Sequence, residues 1–96
     1  MRLDMFLKLS RLVPRRTIAQ EICDAGAVRI NGSQAKSSKE IKVDDQITLR
    51  FRGRIITSRV LTVPKSKQIP KNQASTLIEI VSNEPDGQPE AFIVSP

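Results

Sequence analysis

Histidine, tryptophan and tyrosine are absent from the sequence, and cysteine occurs once, as Cys23. A zinc site built from cysteine and histidine needs about four such ligands, so the sequence excludes that class of metal site. It also excludes a catalytic triad that uses histidine as its base. A single cysteine cannot form an internal disulfide, which is typical of proteins from a reducing cytosol. We therefore expect no metal ion, no cofactor and a cytoplasmic location, with Cys23 as a small buried side chain in a helix.

Glycine and aromatic residues are also few. The four glycines are scattered along the chain and form neither a phosphate-binding loop nor a dinucleotide-binding fingerprint. The three aromatic residues are all phenylalanine, too few for a base-stacking surface like that of RRM or single-strand-binding domains. No apolar run approaches the roughly 18 residues of a transmembrane helix. Charges at Arg2, Asp4 and Lys8 leave no apolar region for a signal peptide.

Positive charge is what the sequence has in excess. Its 96 residues are enough for one domain, and 39% hydrophobic with 27% charged residues is the composition of a folded protein. The net charge of +6 and the pI near 10.1 favour a polyanionic partner, nucleic acid before an anionic membrane. Residues 1–71 hold all 16 cations and six of the ten acids, while residues 72–96 hold four acids and no cation. We therefore expect the binding face in the first two-thirds of the chain.

The N-terminal residues have the spacing of a short helix. Leu3, Phe6 and Leu7 recur at helical intervals, which predicts a helix from residue 3 to residue 10. Pro14 restricts the residue before it to extended conformations, so this helix must end before it.

A second helical pattern begins near Thr17. Residues 17–20 match a capping box, with Thr17 as the N-cap and Gln20 reaching back to its N–H group. Gly26 is a natural residue just after the end of this helix, because glycine adopts positive φ easily. The predicted buried stripe consists of Ile18, Ala19, Ile22 and Cys23.

Strands follow the helices. Residues 27–30 and 33–36 should pair through a type I′ turn at Asn31-Gly32, with Arg29 facing solvent.

The alternation over residues 47–51 predicts another strand, with Arg52 following on the same outward face as Arg50. We predict further strands at residues 55–63, ended by a proline, and at residues 77–81, on the sheet edge. The C-terminal third is interpreted as a polar connection, an acidic loop and a last short strand or tail, at residues 65–72, 84–89 and 91–94.

Cations are concentrated at the predicted helix ends. The first sixteen residues contain five cations and one acid, Asp4. Arg15 and Arg16 precede the second helix, where a phosphate would meet both guanidinium groups and the backbone N–H groups of the helix start. Lys8 and Arg11 lie three residues apart near the end of the first helix. The alternative that these are solvated charges that keep the protein soluble stays open.

Other cations either extend this surface or serve solubility. Lys36 and Lys39 bound a polar loop, for which contact with an RNA backbone and a plain loop are both open. Arg29, Arg50 and Arg52 are possible secondary RNA contacts, although arginines on an exposed sheet face are often only solubilising.

The order of these residues has a counterpart in a known family. The matching residues are Arg2-Leu3-Asp4, Leu7, Ser10-Arg11, Arg15-Arg16-Thr17, Ala19, Gly26, Val28, Ile30-Asn31-Gly32 and Lys36. Together they closely resemble the RNA-binding domain named after ribosomal protein S4, the αL motif, over roughly residues 1–50. The early start of the domain, the Arg-Arg-Thr sequence and the short tail are most similar to one branch. That branch contains small stand-alone bacterial proteins related to the fifteen-kilodalton heat-shock protein and to the ribosome quality-control factor RqcP.

The resemblance implies an α+β fold in which two short helices pack on a small antiparallel sheet. It implies an RNA-binding domain at residues 1–64 and an acidic C-terminal extension with one or two short strands at residues 65–96. The implied partners are structured RNA (ribosomal RNA or tRNA) and the large ribosomal subunit, in translation quality control or recycling of stalled nascent-chain complexes. Asp4 is expected to orient a neighbouring arginine. The implied RNA contacts are Arg2, Lys8, Arg11, Arg15, Arg16, Thr17, Asn31 and Lys36. The family's usual Gly-Asp turn is replaced here by Asp44-Asp45.

Two other function classes are compatible with parts of the sequence. The same domain type is appended to RNA-modifying enzymes, but the 46 residues after it are too few for a catalytic fold, and no acid, base and nucleophile set is present. A generic basic protein of DNA or membrane surfaces is the second, although neither helix has the length and basic amphipathicity of a membrane-lying helix. We therefore expect a non-enzymatic RNA-binding protein, monomeric and without membrane contact.

Overall fold

The chain forms two helices followed by a five-stranded antiparallel sheet, as seen in a computed structural model that describes residues 1–64 and 76–85. The strands lie in the order β2-β1-β3-β4-β5 across the sheet. This arrangement confirms the predicted α+β class. The elements in chain order are α1 (Leu3–Leu9), α2 (Arg16–Asp24), β1 (Val28–Ile30), β2 (Ser33–Gln34), β3 (Gln46–Phe51), β4 (Arg54–Val60) and β5 (Ile78–Pro85).

Helix α1 buries the apolar face that its spacing predicts. Leu3, Phe6 and Leu7 are fully buried, and side chains of this kind each contribute about 1.5–3 kcal/mol when removed from water. The helix ends at Leu9, one residue earlier than predicted. Val13 turns back into the core, where its N–H group donates to the carbonyl oxygen of Leu7 at 3.2 Å.

The start of α1 is held by the loop between β2 and β3. The N–H group of Leu3 donates to the carbonyl oxygen of Lys39 at 2.8 Å, and that of Asp4 donates to Ser37 at 3.1 Å. The first N–H groups of a helix have no partner within the helix, so these two bonds satisfy donors that water or a side chain would otherwise bind.

Helix α2 begins two residues before the predicted position, and the predicted capping box is wrong. Arg15 is the N-cap and makes no side-chain capping bond, while Thr17 is the second residue of the helix. The Gln20 amide donates to the buried carboxylate of Asp4 instead of reaching back along α2. A tertiary partner therefore replaces the local one.

The end of α2 is the predicted one. Gly26 has a φ of +79°, and its N–H group donates to the carbonyl oxygen of Cys23 at 3.0 Å. The N–H group of Ala27 donates to Ile22 at 2.9 Å, which completes a Schellman motif. Within the predicted stripe, Ala19 and Cys23 are buried, while the two isoleucines are only partly buried.

The β1–β2 hairpin has the predicted turn. Asn31 and Gly32 both have positive φ, 52° and 87°, as a type I′ turn requires. Arg29 faces solvent between two buried neighbours, so the predicted register is confirmed. The strands are shorter than predicted, three and two residues long. Asp44 has a φ of 74°, so it adopts the left-handed conformation that the family's glycine would favour.

The longer strands complete the core. Ile47 and Leu49 on β3 are fully buried, and β4 ends at Val60, three residues before the predicted end. Strand β5 is the predicted edge strand but continues to Pro85, so Glu84, predicted in a loop, pairs with Ile55 of β4. The interpretations of residues 65–72, 86–89 and 91–94 lie outside the described residues, and the division of the chain after residue 64 stays a prediction.

Candidate nucleic-acid interface

A buried carboxylate lies at the centre of the helix pair. Asp4 is 0% exposed, and its Oδ2 atom accepts from Gln20 Nε2 at 2.9 Å and from Arg16 Nε at 3.2 Å. Its Oδ1 atom accepts from the Met5 N–H group at 2.8 Å and from Arg2 Nε at 3.3 Å. We call Arg2, Asp4, Arg16 and Gln20 the Asp4 cluster. Asp4 therefore orients two arginines, as expected from the sequence.

The cluster keeps Asp4 ionised. Burial alone would raise the pKa of Asp4, but hydrogen bonds from Gln20, Arg2, Arg16 and the Met5 N–H group outweigh burial and hold the pKa below its ordinary value. One negative charge is thus surrounded by two arginines, and the cluster keeps a net positive charge.

Both arginines of the cluster bind Asp4 through their guanidinium groups and remain partly exposed to solvent. Their side chains remain 48% (Arg2) and 39% (Arg16) exposed. Arg16 contacts Asp4 through Nε, and in the described part of the chain its Nη nitrogens donate no hydrogen bond. Because Asp4 binds only Nε, the two Nη nitrogens remain available for bidentate binding of a phosphate.

The remaining helix cations lie around the junction between α1 and α2. Arg15 and Thr17 are exposed at the start of α2, and Lys8 lies in the last turn of α1. Arg11 follows the end of α1 with a φ of 65°, a conformation that non-glycine residues rarely adopt. Since α1 packs against α2, these cations lie in or next to the same pair of packed helices that carries the cluster.

Of the RNA contacts predicted in the hairpin and the following loop, Asn31 makes hydrogen bonds within the protein, while the two lysines are exposed. Asn31 is committed to the fold, because its Oδ1 atom accepts from the Gln46 N–H group at 2.9 Å and its Nδ2 atom donates to Asp45 at 3.1 Å. Lys36 and Lys39 are exposed in the loop that holds the start of α1, and so they lie beside the Asp4 cluster.

A groove separates this loop from α2. It has a volume of about 420 Å³ and is lined by Cys23 and Asp24 of α2 and by residues 34–38, including Lys36. Gln34, Lys36 and the two serines of this lining can donate hydrogen bonds to a ribose or a phosphate.

The predicted secondary contacts lie on a different face. Arg29 and Arg50 project from the outer face of the sheet and line a cavity of about 280 Å³ with Thr48 and residues 25–27. Arg52 is not on that face, so the prediction that it follows Arg50 is wrong. Its φ of 54° places it in the β3–β4 turn.

Cys23, on the α2 side of the groove, is the small buried side chain that the sequence predicts. Cys23 is 3% exposed, and burial, followed by the charges of Asp4 and Asp24, raises the pKa of its thiol to about 11. The thiol is therefore protonated at neutral pH and is a poor nucleophile. Over residues 1–64 and 76–85, no three side chains of the metal-binding types lie together, and no helix is long and apolar enough to cross a membrane.

Sequence reasoning missed Gln20 as a member of the site. Its side chain was assigned to a local cap, although its spacing of four residues from Arg16 places both on one face of α2. That spacing, together with an acid in the facing helix, is the signal that could have found it.

The chain matches known proteins over most of its length. Residues 1–47 match the S4 domain family. A relative from Halalkalibacterium halodurans named RQC P-site tRNA stabilizing factor is 40% identical over 94% of this chain and 100% of its own length. A protein of the same name from Streptococcus pneumoniae is 43% identical over 85% of this chain and 91% of its own.

A solved structure has the same fold. The trimeric structure of Vibrio cholerae heat shock protein 15 superposes with a TM-score of 0.77 at 28% identity, covering 85% of this chain and 82% of the other. The chain therefore carries an S4 domain and belongs to the family of the RQC P-site tRNA stabilizing factors.

Proposed function

We propose that this protein binds structured RNA on the large ribosomal subunit and stabilises tRNA there during ribosome quality control, without catalysing a reaction. The observation that carries the proposal is the Asp4 cluster, in which a buried carboxylate binds Arg2 and Arg16 while both side chains stay partly exposed. The names of the relatives give the biological setting, ribosome quality control and a P-site tRNA.

The physical argument is that fixed arginines bind phosphates better than mobile ones. An arginine loses side-chain entropy when it binds, and the buried carboxylate has already restricted it in the free protein. Arg15, Lys8 and Arg11 add charge around the same junction, so an RNA backbone that crosses the helix pair would meet several cations in succession.

The proposal also covers location and assembly. A protein that works on ribosomes acts in the cytoplasm, and we propose that this chain does so as a monomer. Binding would require no metal and no cofactor, because charge and backbone shape are sufficient for this mode of RNA recognition.

Co-sedimentation with ribosomal subunits tests the proposal. In a sucrose gradient of cell lysate, the tagged protein should migrate with the large subunit, and Arg16→Gln should weaken that association. We expect the loss to be about 1–3 kcal/mol of binding free energy, the range of a charge-assisted contact.

The matched control is Arg59→Gln, which removes the same charge from β4, where Arg59 pairs with the exposed Glu79. It should co-sediment like the wild type. If the wild type stays at the top of a low-salt gradient, or if both variants are equally weakened, the proposed site is wrong.

A further inference from the structure

The turn between β3 and β4 concentrates charge and an aromatic ring. Residues 50–54 have the sequence Arg-Phe-Arg-Gly-Arg, three arginines without an acid among them. We call these residues the arginine turn. These residues belong neither to the Asp4 cluster nor to the cations around the junction of α1 and α2.

The backbone of the arginine turn is strained at an arginine. Arg52 and Gly53 have φ values of 54° and 77°, so the turn needs two left-handed residues and only one of them is glycine. Asparagine or glycine would fit the first position with less strain, because arginine has no short polar group to stabilise it. Strain that is kept at an exposed position is typical of sites that bind ligands.

The Arg52 side chain lies against the aromatic ring of its neighbour. Its guanidinium carbon is 4.9 Å from the centroid of the Phe51 ring, within the range of a cation–π contact. Phe51 itself packs partly against the hydrophobic core, so the ring is held in place from below. The guanidinium group therefore lies over a ring that the core holds in place, and the Arg52 residue is exposed to solvent.

A second arginine is fixed beside this pair. Arg54 binds Asn83 of β5 twice, donating from Nε to the side-chain oxygen at 2.5 Å and from Nη2 to the backbone carbonyl at 3.0 Å. Its charge is thus held at the base of the turn and does not move freely over the surface.

The arginine turn and the cations at the start of α2 lie near opposite ends of that helix. The Arg50 N–H group donates to the carbonyl oxygen of Ala27 at 2.9 Å, which places the end of β3 near the C-terminus of α2. Arg15 and Arg16 lie at the N-terminus of the same nine-residue helix, about 13 Å away along its axis. One RNA could contact both sites only through separate parts of its structure.

We propose that the arginine turn binds a single unpaired nucleotide of the RNA. The base would stack on the free face of the Arg52 guanidinium, and the phosphate would bind Arg54. An arginine plane supported by an aromatic ring accepts any base by stacking, which suits a bulged or looped-out nucleotide better than a paired one. This inference rests on the proposed function, since it assigns a second contact to the same RNA partner.

The test compares two RNA probes with the full-length protein at fixed salt. One probe is a blunt RNA duplex, and the other is the same duplex with a single bulged adenosine. Fluorescence anisotropy should show the wild type binding the bulged duplex about tenfold more tightly, the order of magnitude of one stacking contact. Arg52→Gln and Phe51→Leu should each reduce that ratio toward one.

The control is Lys42→Gln, which removes one positive charge from an exposed position outside the arginine turn. It should weaken both complexes slightly and leave the ratio unchanged. Thermal melts identify any loss of fold in Phe51→Leu, and Arg52→Gln, at an exposed position, tests the proposal independently of it.

The outcomes separate the two proposals. If the wild type binds both probes without preference, or if Arg52→Gln and Lys42→Gln keep the same ratio, the arginine turn does not bind an unpaired nucleotide, and RNA binding by the helix junction stands. If the wild type binds neither probe, the proposed function fails and this inference fails with it.

Discussion

At the scale of single residues, Asp4 links the fold to the binding surface. Removing a carboxylate from water is unfavourable unless its charge is matched, and here four donors surround it. The same contacts give Arg2 and Arg16 their direction. A substitution at Asp4 should therefore affect stability and RNA binding together, unlike a substitution at an exposed cation.

The pH dependence of the free energy of unfolding should reflect the protonation of Asp4. Because its pKa is lower in the folded protein than its ordinary value of 3.8, the folded state gains stability that is fully present above that value. This stability should be lost as the pH falls from about 4 through the folded-state pKa. Urea unfolding at several pH values would measure it.

The comparison variant is Asp4→Asn, which should be about 2 kcal/mol less stable at neutral pH, the scale of hydrogen bonds to a charged group. It should also show a smaller loss of stability between neutral and acidic pH. If Asp4→Asn loses as much stability in acid as the wild type does, protonation of Asp4 is not the cause of that loss.

A substitution of Arg11 should lower RNA affinity without lowering the free energy of unfolding. Its φ of 65° is unfavourable for arginine, so Arg11→Gly should leave the free energy of unfolding unchanged or raise it by about 1 kcal/mol. RNA affinity should fall nevertheless, because a cation of the helix junction is lost. Paired measurements of thermal unfolding and RNA binding test both directions, and unchanged affinity would exclude Arg11 from the interface.

At the scale of elements, the turns depend on a few left-handed positions. Gly32 and Gly26 both have positive φ, but their surroundings differ. A Cβ atom at Gly32 would meet nothing within 4 Å, while one at Gly26 would lie 2.9 Å from Nε2 of Gln34. An alanine would have an unfavourable φ at both positions. Only at Gly26 would its Cβ atom also contact the end of the Gln34 side chain.

Alanine substitutions should therefore differ in their effect. Gly32→Ala should lower the free energy of unfolding by about 1 kcal/mol through strain alone. Gly26→Ala should lower it further, because the Gln34 side chain must also move. Chemical denaturation measures both, and Gly26→Ala together with Gln34→Ala should recover the extra loss. Equal effects of the two single substitutions would contradict this ranking.

The elements that the sequence predicts well are those with local signals. Helix α1 follows from apolar spacing, the hairpin from Asn31-Gly32, and the end of α2 from Gly26, since each depends on neighbours along the chain. The start of α2 was misplaced because Gln20 binds Asp4, sixteen residues away, instead of Thr17.

In the candidate site, too, the sequence predicts what depends on neighbours along the chain and not what depends on distant contacts. The cations around the helix junction were predicted from their number and position, while the direction of Arg2 and Arg16 depends on the packing of α1 against α2. The place of Arg52 could not be predicted either, because an arginine with positive φ breaks the alternation that strand patterns assume.

At the scale of the whole molecule, the edge strand β5 of the sheet bears on assembly. Strand β5 carries Glu79, Glu84 and Pro85, and Val81 has no partner in β4 because the pairing register shifts there. Charges, proline and a bulge on an edge strand all oppose pairing with another chain.

We therefore expect a monomer in solution, in contrast to the trimeric structure of the Vibrio cholerae relative. Size-exclusion chromatography with light scattering should give a mass near 10.7 kDa at all protein concentrations tested. A mass that rises toward three times this value with concentration would show that β5 or another surface associates.

The loop that holds the start of α1 also has a consequence for synthesis of the chain. Helix α1 has seven residues, too few to be stable alone, and its first N–H groups are bound by Ser37 and Lys39. Although Arg2 and Arg16 are translated early, helix α1, which carries their shared partner Asp4, should become stable only after residue 39 has left the ribosomal tunnel. We therefore expect that a nascent chain presents no ordered RNA-binding surface until this loop has been made.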